Sequence, residues 1–473
     1  MTHSPNTRPG GVIYWFRNDC RLHDQPALAQ AIAYANQHNT WLLPVYVHDS
    51  RHDAETRWGF VRMGQHRRHW TEAALQGLAQ QLAARGSRLY GLTGETPSVL
   101  KTLYDQLQAS VVYCEDIQAP EELTDVHALR DAGVNVNTVW QSTLIAPEDL
   151  PFAPNQMPDT FTVFRQAIER ARVKAAKPLP APEMLPPRPD LTALAESTGM
   201  GTTLCLEDKL ASTVVQPNDR FTSENLNAIG KPISSTDFNS PPDHSAFPYH
   251  HPDFNGSEQA ALAHLKRYCE RGLPHTYKTT RNGLIGADYS SKWSPWLATG
   301  ALSARQAWAA IQAFEAEHGA NDSTYWLWFE LLWRDYFRWL HHKYGVQLYH
   351  ARGLSSHPTP AHNARAFDCW CHAQTGHPFI DAGLNELTQS GYVSNRIRQN
   401  MASFLIHDLA CDWRAGAAWF EANLIDYDVY SNQGNWLYLS SRGTDPRGSR
   451  RFNPDKQAHD YDKNGAYRTL WAR

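Results

Sequence analysis

The sequence has no apolar run approaching the ~20 residues that carry a helix across a bilayer, which argues against a helical membrane protein. It also lacks any surplus of positive charge: 44 Lys and Arg against 48 Asp and Glu give a formal net charge of −4. Retention of nucleic acid by bulk basicity is thereby excluded, and any such contact must come from a local basic groove. The seven cysteines (Cys20, Cys114, Cys205, Cys269, Cys369, Cys371, Cys411) form an odd set without paired zinc spacing. No secretory leader precedes them, so a reduced, cytoplasmic, monomeric protein is expected. Cys369-x-Cys371 has no second clustered pair, which disfavours a metal or iron–sulfur centre. No G-x-G-x-x-G follows the first apolar run, which argues against a dinucleotide bound there in the usual way. No repeat of solenoid period is present.

What is present is length, tryptophan and two contrasting halves. At 473 residues the chain exceeds the roughly 250–300 residues one core serves, so at least two domains are expected. Up to residue 150, short apolar runs (Val12 to Phe16, Trp41 to Val47, Arg88 to Leu92, Val111 to Cys114, Val136 to Trp140) alternate with helical periodicity. The stretch His66 to Ala84 spaces Trp70, Ala74, Leu75, Leu78 and Leu82 along one face, with Gly86 as its C-cap. This predicts a doubly wound α/β domain with a parallel sheet over residues 1–150. Residues 151–255 are rich in proline and turn formers and read as an interdomain connector. Residues 256–473 read as an all-α domain, with its clearest helices at Ser257 to Arg271, Ser303 to His318, Tyr325 to Lys343, Ser394 to Leu409 and Ala415 to Asn423. The 17 tryptophans favour a dense helical core or photochemistry.

Within the helical half, Glu330, Trp333 and Arg334 stand at i, i+3 and i+4 and share a helix face. For one helix alone, a surface ion pair beside a core indole is the favoured reading. Asn395, Arg398 and Gln399 share a second face. Asp426 and Asp428 stand in apolar company, followed by Ser431-Asn432-Gln433-Gly434-Asn435-Trp436, which reads as an aromatic-rich loop. Buried carboxylates need partners, and Arg398 is the obvious cation. Ser290-Ser291-Lys292-Trp293-Ser294-Pro295 offers hydroxyls, a cation and a helix start, a suitable cradle for phosphate, although taken alone an ordinary serine-capped helix is the commoner reading.

The run Trp15-Phe16-Arg17-Asn18-Asp19-Cys20-Arg21-Leu22 resembles the opening strand of photolyases and cryptochromes. Tyr277 to Asn282, Ser290 to Ser294, Thr375 to Ala382, Asp412-Trp413-Arg414 and Gly434-Asn435-Trp436 resemble motifs of that family's flavin domain, in the family's order. The resemblance implies a U-shaped FAD within the helical domain, lined by Tyr277, Arg281, Ser290, Ser291, Ser294, Arg334, Arg398, Asp426, Asp428 and Asn432. In it, Asn432 would face the flavin N5. It implies light-driven splitting of cyclobutane pyrimidine dimers, with Glu330 and Asn395 hydrogen-bonding the lesion, Trp333 stacking on it, and Arg396 and Arg450 on flanking phosphates beside Arg447 and Arg451. Asn395 and Gln399 stand where branches that repair the (6-4) lesion carry histidines. Gln399 with Tyr438 resembles the DASH branch, implying single-stranded DNA as partner. Trp436 and Trp413 match the inner two electron-transfer tryptophans, whereas the outermost position falls at or near Pro360, leaving Trp370 as the alternative exit. Glu121 aligns with a contact of a methenyltetrahydrofolate antenna. A light sensor that binds nucleic acid without repairing it shares every flavin residue. An ordinary flavin oxidoreductase would need a nicotinamide or substrate motif, and none is found.

Overall fold

The computed structural model describes residues 10–189, 240–445, 448 and 450–472. They divide into two compact units. Residues up to Ala54, Glu72–Ser142 and those from Pro178 to 189 make the first; Glu55–Thr71, Thr143–Lys177 and residues from 240 onward make the second. This division differs from the expected boundaries at 150 and 255. Within the expected connector, Phe161–Ala171 is a helix of the second unit that buries Phe161, Phe164 and Ile168, a spacing of three and four that its small polar flanks obscure. The rest of that stretch, from 190 to 239, and Cys205 with it, lie outside the described residues.

The first unit is a five-stranded parallel sheet in the order β3-β2-β1-β4-β5: β1 Val12–Phe16, β2 Leu42–Asp49, β3 Tyr90–Gly94, β4 Val111–Glu115 and β5 Val136–Val139. Strand residues alternate between faces. Val12, Tyr14 and Phe16 pack with Leu28, Ala31, Leu75, Leu78 and Leu82 on one side. Ile13 and Trp15 pack with Leu100, Leu103, Val126 and Leu129 on the other. Both faces are therefore covered, which is why the strands read as near-continuous apolar runs. β2 and β3 extend two residues past their apolar stretches because His48 pairs with Thr93 and Asp49 with Gly94. Backbone register, not side-chain polarity, ends these strands.

The second unit is helical. Its longest helix, Asp322–Tyr344, starts at Asn321, whose side chain accepts the Ser323 and Thr324 amides, and stops at Gly345. Residues 431–436 are not a loop: they lie in the helix Val429–Leu439, whose N-cap Asp428 accepts the Ser431 amide at 2.8 Å. The acid three residues ahead of Ser431 is the legible signal. Two glycines set helix approach here. A Cβ on Gly434 would collide with the Phe337 ring, and one on Gly416, in the helix Trp413–Asn423, with the Trp436 ring. Among the described residues, no helix is long and apolar enough to cross a membrane.

Candidate active site

A cavity of about 430 Å³ opens among the helices of the second unit. One end is built by the run Ser290 to Ser294. Ser290 and Lys292 adopt left-handed backbone (φ 60° and 59°), which costs about 1–3 kcal/mol at each non-glycine residue. The turn brings Ser290, Ser291 and Ser294 to the cavity wall with Tyr277 and Arg281. The helix Ser294–Thr299 begins here without a side-chain cap, so the serines are not an ordinary N-cap. A turn with left-handed residues on either side of Ser291 can gather backbone N–H groups and suits an anion. The cation of the run behaves unexpectedly: Lys292 is buried, its Nζ 3.1 Å from the Tyr289 ring centroid, with no hydrogen-bond partner among the described residues.

Opposite stands an acid–arginine pair. Arg398 donates to Asp426 Oδ2 at 2.8 Å and, through Nε, to the Val393 carbonyl at 2.8 Å; Ser294 Oγ donates to the same Oδ2 at 2.7 Å. Asp426 Oδ1 is buried and has no partner among the described residues. A bound N–H donor in the cavity would satisfy it, and this fits the imide edge of a flavin. Asp428 does not share Arg398. Its carboxylate pairs with Arg338 at 2.5 Å, and although burial would raise it, the Arg338 and Arg334 charges hold it well below the usual carboxylate range. Sequence reasoning does not find Arg338 because it stands 90 residues away. Arg334 lines the cavity and donates to the Leu297 carbonyl at 3.3 Å. Asn432 and Trp436 line a smaller hollow together with Asn395, Arg398, Gln399, Asp426 and Asp428. The Asn432 amide donates to the Ala417 carbonyl at 3.0 Å, which fixes its orientation.

The third wall carries Glu330, Trp333, Asn395, Gln399 and Tyr438. Glu330, about a third exposed to the cavity, is ion-paired with Arg281. Burial raises its carboxyl above the ordinary range, and the Arg281 charge offsets only part of this. Trp333 is locked from behind by Phe161, stacked at 3.8 Å and 14°, and meets Tyr438 edge-on at 6.0 Å. Phe161 is a second residue that the sequence does not reveal.

The remaining expected residues lie off the cavity lining. Arg396 donates to Asn282 Oδ1 at 3.0 Å and stacks over Tyr461. Arg450 pairs with Asp445 at 2.8 Å and lies over Tyr438 at 4.1 Å. Arg451 pairs with Asp408, and Arg447 is outside the described residues. Both candidate phosphate arginines thus already hold protein partners. Trp413 and Trp370 are buried in the helical core; Trp413 Nε1 donates to the Ala351 carbonyl at 3.1 Å. Glu121 is exposed in the first turn of the helix Pro120–Asp131 of the first unit.

Near Lys292 lies an acid that the sequence does not single out. Burial pushes the Glu386 carboxyl up to about 8 from an ordinary 4.5, although Tyr467 donates to it at 2.5 Å. The folded protein therefore holds this proton more tightly than the unfolded chain. The stability it contributes is complete below about pH 4.5 and is lost as pH rises through about 8. Lys292, pushed well below its ordinary value by burial, acts with the opposite sign, so the comparison must be with a variant that changes only the acid. Urea midpoints across that window are expected to fall more steeply for wild type than for Glu386→Gln; parallel profiles would refute the assignment.

A covered parallel sheet, and a helical unit whose cavity combines an anion-binding turn, an unsatisfied buried carboxylate oxygen and an indole wall, define a flavoprotein of the photolyase type. Residues 12–183 match the family model described as DNA photolyase, and residues 326–472 that described as FAD binding domain of DNA photolyase. The chain is 39% identical over 477 residues to cryptochrome DASH of Synechocystis sp., covering all of this chain and 88% of that one. It is 40% identical over 470 residues to cryptochrome DASH of Xenopus laevis, covering 97% and 82%. The crystal structure of a Synechocystis cryptochrome superposes with a TM-score of 0.83 at 37% identity, over all of this chain and 89% of that one. The chain belongs to the DNA photolyase/cryptochrome family, in its cryptochrome DASH branch.

Proposed function

We propose that this chain, with FAD in the helical cavity, repairs cyclobutane pyrimidine dimers under blue light, preferentially in single-stranded DNA. The observation that carries this reading is the sharing of one cavity: Glu330, Trp333, Asn395, Gln399 and Tyr438 face it together with Tyr277, Arg281, the serines, Arg398 and Asp426. When bound and reduced, the flavin supplies the photoexcited electron that opens the cyclobutane ring. The chain's own groups do the rest. Trp333, held by Phe161, offers a rigid face on which a base stacks, worth about 1–3 kcal/mol per base. Glu330, ion-paired with Arg281 on one side, offers a carboxylate that can accept a pyrimidine N–H. Gln399 and Asn395 add amides that hydrogen-bond but donate no labile proton, which suits dimers over the (6-4) lesion. Extruding a dimer costs a few kcal/mol in a duplex and least in a single strand, so substrate preference follows the unpaired form.

The test is light-dependent loss of dimers from single-stranded and duplex oligonucleotides. Wild type is expected to act faster on the single strand, and Glu330→Ala to lose at least tenfold of that rate, about 1.4 kcal/mol, with flavin content unchanged. No repair of either substrate would leave light sensing as the function. A methenyltetrahydrofolate antenna near Glu121 completes the proposal; a near-ultraviolet band beside the flavin bands in the purified protein tests it.

A further inference from the structure

The position at which the family resemblance implies an outermost tryptophan holds Pro360, so the second unit needs another path from its flavin cavity to solvent. The structure contains a continuous file of aromatic rings. Trp436, on the cavity side, meets the Phe420 ring at 5.1 Å between centroids. Phe420 stacks on Trp370 at 6.2 Å and 24°. Trp370 stacks on Phe367 at 6.1 Å and 20°, and Phe367 meets Trp58 at 6.2 Å. Trp58 is half-buried, beside the exposed Arg57. Every ring belongs to the same compact unit.

The chemistry of the ring nitrogens decides where a hole arriving on this file stops. An oxidised indole persists when it sheds its Nε1 proton, and that requires an acceptor. Trp370 Nε1 is buried with no hydrogen-bond partner among the described residues, so a hole there keeps its positive charge and moves on. Trp419, which reaches Phe367 through Phe60, is also half-buried, but its Nε1 is fully enclosed and unpartnered. Trp58 differs in that its Nε1 is not among the buried, unpartnered atoms, so water can take the proton. The Arg57 guanidinium lies 4.4 Å from the Trp58 ring centroid and disfavours retention of positive charge on the indole, which drives the same deprotonation.

We infer that Trp58 is the surface electron donor of this chain, reached from Trp436 through Phe420, Trp370 and Phe367. The inference rests on the flavin photochemistry proposed above. Each light-driven event moves one electron inward. With FAD held in the cavity, Trp436 would be its electron donor, Trp370 would refill Trp436, and Trp58 would refill Trp370. The phenyl rings of Phe420 and Phe367, harder to oxidise than indole, serve as bridges. Trp58 then releases its Nε1 proton to water, and a soluble thiol returns an electron and a proton as a hydrogen atom, being itself oxidised towards disulfide.

Time-resolved absorption of the flavin-loaded protein tests this through the lifetime of the indole radical. Trp58→Phe and Trp370→Phe are each expected to shorten that lifetime at least tenfold and to abolish its quenching by thiol, with flavin content as in wild type. Trp419→Phe is expected to leave the lifetime unchanged. A wild-type lifetime in Trp58→Phe, or a long-lived radical lost only in Trp413→Phe, overturns the assigned exit while the flavin reading stands. A wild-type protein that holds flavin and forms no indole radical on illumination overturns both.

Discussion

Asp426→Ala is expected to purify without its flavin chromophore. Asp426 Oδ2 is the meeting point of Arg398 (2.8 Å) and Ser294 (2.7 Å), and its Oδ1 is the one cavity-lining carboxylate oxygen that is buried and unpartnered among the described residues. Truncation removes the acceptor for the ligand's N–H and leaves the Arg398 guanidinium without its counter-ion. Breaking a buried pair in this way costs about 3–5 kcal/mol. If most of that falls on the loaded state, affinity drops a hundredfold or more. Visible absorbance per protein, read beside the circular dichroism melt, checks it. Asp426→Asn, which keeps an acceptor and the packing, should retain part of the chromophore. Full flavin content in Asp426→Ala would show that the imide edge lies elsewhere.

Asp335→Ala is expected to destabilise the helical unit strongly. Asp335 lies on the buried side of the helix Asp322–Tyr344 and accepts the backbone N–H groups of Leu144 and Ile145, both at 2.9 Å. Burial pushes its carboxyl up to about 6, with the two amides pulling the other way. Its loss strands two buried donors at about 1–3 kcal/mol each, so a fall of about 2–6 kcal/mol in unfolding free energy is expected. Urea unfolding should show a lowered midpoint with unchanged slope. Asp335→Asn, which still accepts one of the two bonds, should fall between; a midpoint within error of wild type would mean that water replaces the carboxylate.

Parts of this molecule are legible in the sequence because they are local. Strand runs of alternating or continuous apolar residues, and the face shared by Glu330, Trp333 and Arg334, follow from periods of 2.0 and 3.6 residues. The Arg398–Asp426 pair is also foreseeable, since a carboxylate in apolar surroundings must find a cation and Arg398 lies 28 residues away. Other parts are not. The helix Val429–Leu439 reads as a loop because glycine and amides dominate its middle, although Asp428 caps it. Gly434 is there because a Cβ would strike Phe337, a tertiary requirement that overrides its low helix propensity. Likewise Phe161–Ala171 is hidden in the expected connector, where proline and turn formers on either side mask its apolar spacing.

The amino-acid sequence by itself determined most of the strands and helices, which side chains share a helix face, and, through the order of its motifs, the family. Tertiary structure alone decided most of the other partners. It gave Asp428 to Arg338 rather than Arg398, buried Lys292 against Tyr289 instead of leaving it to a phosphate, set Phe161 behind Trp333, and joined Trp436 to Trp58 through rings drawn from four separate segments. The physical reason is that backbone periodicity acts over a few residues. Charge pairing and ring packing depend on distance in space, and that is settled only when remote segments close on a common core.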